Sequence, residues 1–159
     1  MKNLNKYLNK IINLHSKKNS NKSFKYPLLD DAFSNEDIIK GIEVILKKKI
    51  TMGEVTRRFE YEFAKFMKVK YALMVNSGSS ANLLAAFALV NPQKKNFLKR
   101  GDEFLIQSLC WSTSLWPLIQ AGLKPKFIDV NLENFNVSEE FFYKSLNKKV
   151  KAAMIVHVL

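Results

Sequence analysis

An α/β fold, with a mostly parallel sheet and flanking helices, is what this sequence predicts, and three observations predict it. Short apolar runs alternate with helical-period stretches from residue 71 onward. The connections between them are short. Two strand-to-helix junctions, 76–82 and 108–114, are rich in Gly, Ser and Thr. Strands separated by single helices in this way pair in parallel through βαβ crossovers.

Composition bounds the function classes. With 159 residues the chain is long enough for one domain with a core of its own. Hydrophobic content of 47% and charged content of 25% describe a globular chain rather than a disordered one. No apolar run approaches the ~18 residues of a membrane span, so none is expected. Cys110 is the single cysteine, which excludes an intramolecular disulfide and fits a reducing, cytoplasmic compartment. His15 and His157 are the only histidines, so no zinc spacing exists and no metal is expected. The formal net charge of +12 invites a nucleic-acid reading. Against it, the basic residues are nearly all Lys, with Arg only at Arg57, Arg58 and Arg100, whereas base and phosphate recognition favours Arg. Lys and Asn rise together, as in the drift of an AT-rich genome, and the charge is spread along the chain. No nucleic-acid partner is expected.

Taken in order, the N-terminal 25 residues form a basic, acid-free segment. Leu4, Leu8, Ile11, Ile12 and Leu14 recur at near-helical spacing, which fits a peripheral amphipathic helix followed by a polar linker over 16–23. A transit peptide shares that composition; a secretory signal lacks its apolar core here. His15 is expected at the surface. Pro27 makes 26–29 extended. Ser34 is placed to cap a helix with an acidic first turn, carrying Ile38, Ile42, Ile45 and Leu46 on one face. A break at Thr51-Met52-Gly53 precedes a second helix over 55–68, whose Phe59, Phe63, Phe66 and Met67 are expected to pack in a core. A strand over 71–75, a helix over 81–90, and a polar loop over 91–99 follow. Strands are expected at 103–107, 126–130 and 151–158, and helices after Ser108–Ser114 and from Ser138 to Leu146. Gly122 suits the residue after a helix C-terminus. Pro117 is tolerable only if it falls within the first turn of its helix.

The 76–82 turn carries the functional signal. A Gly-containing turn into a helix exposes backbone N–H groups where the helix dipole is positive, and Ser79 and Ser80 add hydroxyls. Phosphate is the simplest ligand for that arrangement. Plain capping by Ser77 or Ser79 explains the same residues. The turn is neither a Walker loop nor a dinucleotide fingerprint. In a parallel sheet ligands bind beyond the carboxyl ends of the strands. That rule puts residues 77–80, residues 108–114 and His157 along one edge, which favours phosphate over capping alone.

The residues Asn76-Ser77-Gly78-Ser79-Ser80-Ala81-Asn82-Leu83-Leu84 resemble the cofactor-phosphate segment of the DegT/DnrJ/EryC1/StrS family of sugar aminotransferases. Gly101-Asp102-Glu103 with Ser108-Leu109-Cys110-Trp111-Ser112-Thr113, the run from Gly122 to Val130, and Lys151 to His157 resemble that family's next segments. Thr51-Met52-Gly53 with Phe59-Glu60 resembles its entry. The matches are collinear over 26–159, and within the family they look closest to the CDP-4-keto-6-deoxyhexose 3-dehydrase and lipopolysaccharide branch.

The resemblance implies the N-terminal part of the large domain of a fold-type I transferase, incomplete over 26–159 and preceded by the basic helix and linker of 1–25. It implies pyridoxal 5'-phosphate as cofactor, with Gly78, Ser79 and Ser80 on the phosphate and Trp111 stacked on the ring. Thr113 and His157 are weaker neighbours of the same site. Thr51, Met52 and Gly53 would lie near the substrate, reaching toward a partner subunit's site. A nucleotide-linked keto-sugar is the implied substrate and a homodimer the implied assembly. An iron–sulfur cluster, found in the dehydrase branch, is left unassigned. The family's Asp for the pyridine nitrogen, and the Lys that joins the cofactor or the His that replaces it, fall beyond Leu159. No catalytic residue is therefore assigned, and the chain is expected to be a fragment with little activity alone. The alternative from another class is a non-catalytic phosphate-binding module, or one half of a split enzyme.

Overall fold

The computed structural model describes residues 2–18 and 32–158, which form two compact units, Met1–Met74 and Val75–Leu159. The expected extended run at 26–29 and most of the 16–23 linker lie outside the described residues; Ser16 to Lys18 belong to the first helix.

The described residues of the first unit form three helices: α1 (Lys2–Lys18), α2 (Asn35–Leu46) and α3 (Glu54–Phe66). Asn35 Nδ2 donates to Asn13 Oδ1 at 2.9 Å, tying α2 to α1. Ser34 caps α2 as expected. Its Oγ accepts from the Asp37 N–H at 3.2 Å, and its own N–H donates to Asp37 Oδ2 at 2.9 Å, a reciprocal capping box. Ser34 Oγ also donates to Asp37 Oδ2 at 2.7 Å, and this bond, followed by the one from the Ser34 N–H, holds the Asp37 carboxyl below its ordinary value. A lowered carboxylate contributes stability above its unfolded pKa and loses it as pH falls through the folded value. Ser34→Ala is therefore expected to move the Asp37 titration back up toward the ordinary carboxylate range in an NMR pH series. An unmoved titration would discard the capping box as its cause.

Two expectations for this unit are corrected. Phe59, Phe63, Phe66 and Met67 do not pack in a core. All four are exposed, Phe66 at 80%, and Phe59 instead stacks on Phe63 with ring centroids 5.6 Å apart. An apolar helical face is buried only when another element covers it, and among the described residues of this unit the buried hydrophobics are Ile39 and Ala64. Residues 71–75 form no strand. A strand needs a ladder partner; here the Met74 N–H donates to the Glu60 carboxylate at 2.9 Å, and Tyr71 and Leu73 stand exposed.

The second unit contains α4 (Gly78–Leu89), β1 (Glu103–Gln107), α5 (Ser112–Gln120), β2 (Lys124–Ile128), α6 (Glu139–Ser145) and β3 (Val150–Met154). The sheet order is β2-β1-β3 and every pairing is parallel. Glu103 to Gln107 pair with Lys124 to Ile128, and Phe104 to Ile106 with Ala152 to Met154. The later two strands each begin earlier than expected and end sooner, while β1 has the expected bounds. Phe104, Leu105, Ile106 and Gln107 are all fully buried, the unbroken pattern of a central parallel strand. Phe104 and Ile106 form the core with Ala86, Leu118 and Leu123, and α4 packs on α5. Gly122 follows α5 with φ of +88°, as its position predicted, and a Cβ there would come within 3.1 Å of Arg100 Cγ. From β1 the chain goes to one neighbour through α5 and returns through α6 to the other. The point between β1 and β3 is thus a topological switch, where open α/β sheets bind ligands.

Pro117 corrects a further expectation. It is the sixth residue of α5, beyond the first turn, and is buried. Such a proline leaves the carbonyl four residues earlier, that of Thr113, without its helical donor. Asn82 Nδ2 donates to that oxygen at 3.1 Å.

Candidate cofactor site

The site residues of the second unit sit on the turns that leave the strands and on the start of α4. Ser77 is the N-cap of α4: its Oγ accepts from the Ser80 N–H at 3.2 Å and donates to Ser80 Oγ at 3.1 Å. Capping is thus realised, and it uses one N–H of the first turn. The N–H groups of Gly78 and Ser79 have no helical acceptor. Because Ser80 Oγ accepts from Ser77, its own proton is left to donate elsewhere. Ser77, Gly78 and Ser79 are exposed, and nothing lies within 4 Å of where a Gly78 Cβ would stand. Two free N–H groups, two hydroxyls, a helix dipole and open space suit a phosphate.

Trp111 is the N-cap residue of α5, reached from β1 through Ser108 to Cys110. It is 76% exposed, so it is not a core aromatic. Thr113, half-buried, follows in the first turn of the same helix. The Asn82–Thr113 bond joins the second turn of α4, just past the serines, to the first turn of α5, so the serine turn and the tryptophan turn are neighbours. Cys110 packs against the core, and burial raises its thiol pKa.

His157 lies exposed just past the end of β3. The backbone on either side of it is held: the Val156 N–H donates to Gln107 Oε1 at 3.0 Å and the Val158 N–H to Asn136 Oδ1 at 2.9 Å. Gln107 also donates through Nε2 to the Leu109 carbonyl at 3.0 Å. One fully buried amide thus ties the turn carrying Trp111 to the strand end carrying His157, across the switch point. Sequence reasoning missed Gln107; a polar residue closing an apolar strand was its signal. It also gave Asn82 no role, although Asn82 stands inside the recognised motif.

Thr51, Met52 and Gly53 belong to the first unit. Met52 is 85% exposed with φ of +43°, and Arg57 Nη2 donates to its carbonyl at 3.3 Å. Gly53 caps α3, and a Cβ there would meet the Lys49 carbonyl oxygen at 3.0 Å, which accounts for glycine at this position. Among the described residues no group of His, Cys, Asp and Glu could hold a metal ion, and no helix is long and apolar enough to cross a membrane.

The sequence model of the DegT/DnrJ/EryC1/StrS aminotransferase family matches residues 33–159. The chain belongs to this family. As a member of it, the chain is 38% identical over 135 residues to the GDP-4-keto-6-deoxy-D-mannose 3-dehydratase of Escherichia coli O55:H7, covering 84% of this chain and 34% of the dehydratase. It is 37% identical over 119 residues to the lipopolysaccharide biosynthesis protein RfbH of Salmonella typhimurium, covering 74% of this chain and 27% of RfbH. A solved structure of the Escherichia coli dehydratase with bound hydrated PLP superposes with a TM-score of 0.72 at 39% identity, covering 81% of this chain and 33% of that one. The chain spans between about a quarter and a third of the length of these relatives. The expected dehydrase and lipopolysaccharide branch is where these relatives of this DegT/DnrJ/EryC1/StrS member lie, and the expected α/β fold is the fold observed.

Proposed function

We propose that this chain carries the cofactor-phosphate cup and the ring platform of a pyridoxal-phosphate-dependent enzyme. The enzyme acts on a nucleotide-linked keto-sugar in lipopolysaccharide biosynthesis. The observation that carries the reading is the start of α4. There the Gly78 and Ser79 N–H groups lie open beside the Ser79 and Ser80 hydroxyls, and the exposed Trp111 turn is bonded to the same helix. Gly78, Ser79 and Ser80 hold the phosphate by N–H and O–H donation. Trp111 covers one ring face with a flat apolar surface that excludes water. Thr113 and His157 flank that ring. Thr51, Met52 and Gly53 serve the sugar-nucleotide side, and the working form is a cytoplasmic homodimer. The cofactor, when bound, supplies an electron sink for the sugar chemistry.

Dehydration is favoured over amination, because the 38%-identical relative is a 3-dehydratase. Residues 1–159 alone are read as binding without turnover, since the family's Lys or His and its Asp have no counterpart among the residues that match its motifs. Turnover by the purified chain would overturn that part of the reading.

A pyridoxal phosphate titration of the chain, read by tryptophan fluorescence, tests the rest. Saturable quenching is expected. Ser79→Ala is expected to weaken binding by about tenfold, the loss of one hydrogen bond to a charged group. Trp111→Phe is expected to remove most of the quenching. A folded chain with no saturable quenching would defeat the cofactor assignment.

A further inference from the structure

We infer that Asn82 is a positioning residue of the cofactor site, and that it works by replacing the backbone donor that Pro117 lacks. In a regular α-helix the N–H of residue 117 would bond to the Thr113 carbonyl. Proline has no N–H, and at the sixth position of α5 it leaves that carbonyl inside the helix without a donor. The vacancy is filled from outside the helix, by Asn82 Nδ2 of α4 at 3.1 Å.

Position gives the bond its consequence. Asn82 is two residues beyond Ser80, and Thr113 is two residues beyond Trp111. The bond therefore joins the start of the second turn of α4 to the first turn of α5, the two helices whose N-termini form the candidate site. Small and apolar contacts between the same helices, from Ala86 of α4 to Leu118 of α5, set how closely they approach. Such contacts are not directional. A hydrogen bond is directional, so the Asn82 amide fixes the register at which the serine turn stands beside the tryptophan turn. Proline and asparagine act as one device: Pro117 frees a fixed acceptor, and Asn82 reads it.

This inference rests on the cofactor reading for its functional consequence, but the brace itself is testable without the cofactor. Trp116→Phe leaves Trp111 as the single tryptophan reporter. In that background Asn82→Asp keeps the side-chain volume and loses the donor, while Pro117→Ala restores the backbone N–H to the Thr113 carbonyl. Asn82→Asp alone is expected to shift the Trp111 emission and to weaken pyridoxal phosphate binding by about tenfold. In the Pro117→Ala background the same substitution is expected to change binding by less than about threefold, because there the helix supplies its own donor to the Thr113 carbonyl and the tie to Asn82 is already loosened, so that Pro117→Ala itself binds more weakly than the parent. Equal effects of Asn82→Asp in both backgrounds, or none in either, would overturn the brace.

If the parent shows no saturable quenching, the cofactor reading falls and urea midpoints decide the brace. A midpoint lowered by Asn82→Asp only when Pro117 is present supports it, and equal lowering in both backgrounds overturns it. Asn82→Ser, which keeps a short donor, is a second variant for a case where the aspartate perturbs folding. A smaller loss than with Asn82→Asp is expected, and it is expected to shrink further when measured against a Pro117→Ala parent; a loss of equal size in both backgrounds counts against the brace.

Discussion

Gln107→Leu is expected to destabilise the second unit by about 3 kcal/mol, measured by urea unfolding followed by far-UV circular dichroism. The side chain is fully buried and uses both ends of its amide, Nε2 on the Leu109 carbonyl and Oε1 on the Val156 N–H. Leucine fills nearly the same volume, so little cavity arises. What is lost is the partner of two backbone groups beside the sheet edge. A buried unsatisfied backbone group costs about 1–3 kcal/mol, and some of that is recovered by the apolar side chain. The substitution also unties the Trp111 turn from the strand end before His157, so the Trp111 emission is expected to shift even where the fold survives. A loss below about 1 kcal/mol with unchanged emission would show that solvent or local rearrangement satisfies both groups.

Phe104→Ala is expected to be the most damaging single truncation in the core, at about 4 kcal/mol in the same measurement. Phe104 is fully buried on the central strand, pairs with Pro125 on one side and Ala152 on the other, and belongs to the cluster of Ala86, Ile106, Leu118 and Leu123. Removing the ring forfeits its transfer free energy and leaves a cavity that two flanking strands prevent from closing. That size of loss is a large fraction of the stability of an ordinary domain, so the variant should populate partly unfolded chain at ambient temperature. A loss near 1 kcal/mol would mean that the core collapses around the gap.

Both residues lie on β1, and they divide what was legible from what was not. Phe104 as a core residue follows from an apolar run between turn signals. Gln107 as a buried bridge does not, because its partners are two residues ahead and 49 residues ahead. The same contrast runs through the candidate site. The serine turn was legible because capping is local: Ser77 acts on Ser80 and Ser34 on Asp37, three residues away in each case. The Asn82 brace was not, because its acceptor lies 31 residues on and becomes an acceptor only through Pro117. Sequence reasoning treated that proline as a fault to be confined to a first turn, when a neighbouring helix supplies what it removes.

By itself the sequence determined the succession of helices and strands apart from the 71–75 run, the caps at Ser34 and Ser77, the turn at Gly122 and the family motif around Gly78. Each of these is a matter of hydrogen bonds or torsions within a few residues. Tertiary structure decided the rest. It left residues 71–75 without a ladder, and it left Phe59, Phe63 and Phe66 exposed although their spacing suits a core. It also placed a switch point between β1 and β3 and bridged it with Gln107. The physical reason is common to all of these. Pairing, burial and the satisfaction of a backbone carbonyl depend on which distant groups arrive beside a residue, and local pattern carries no record of who the neighbour will be.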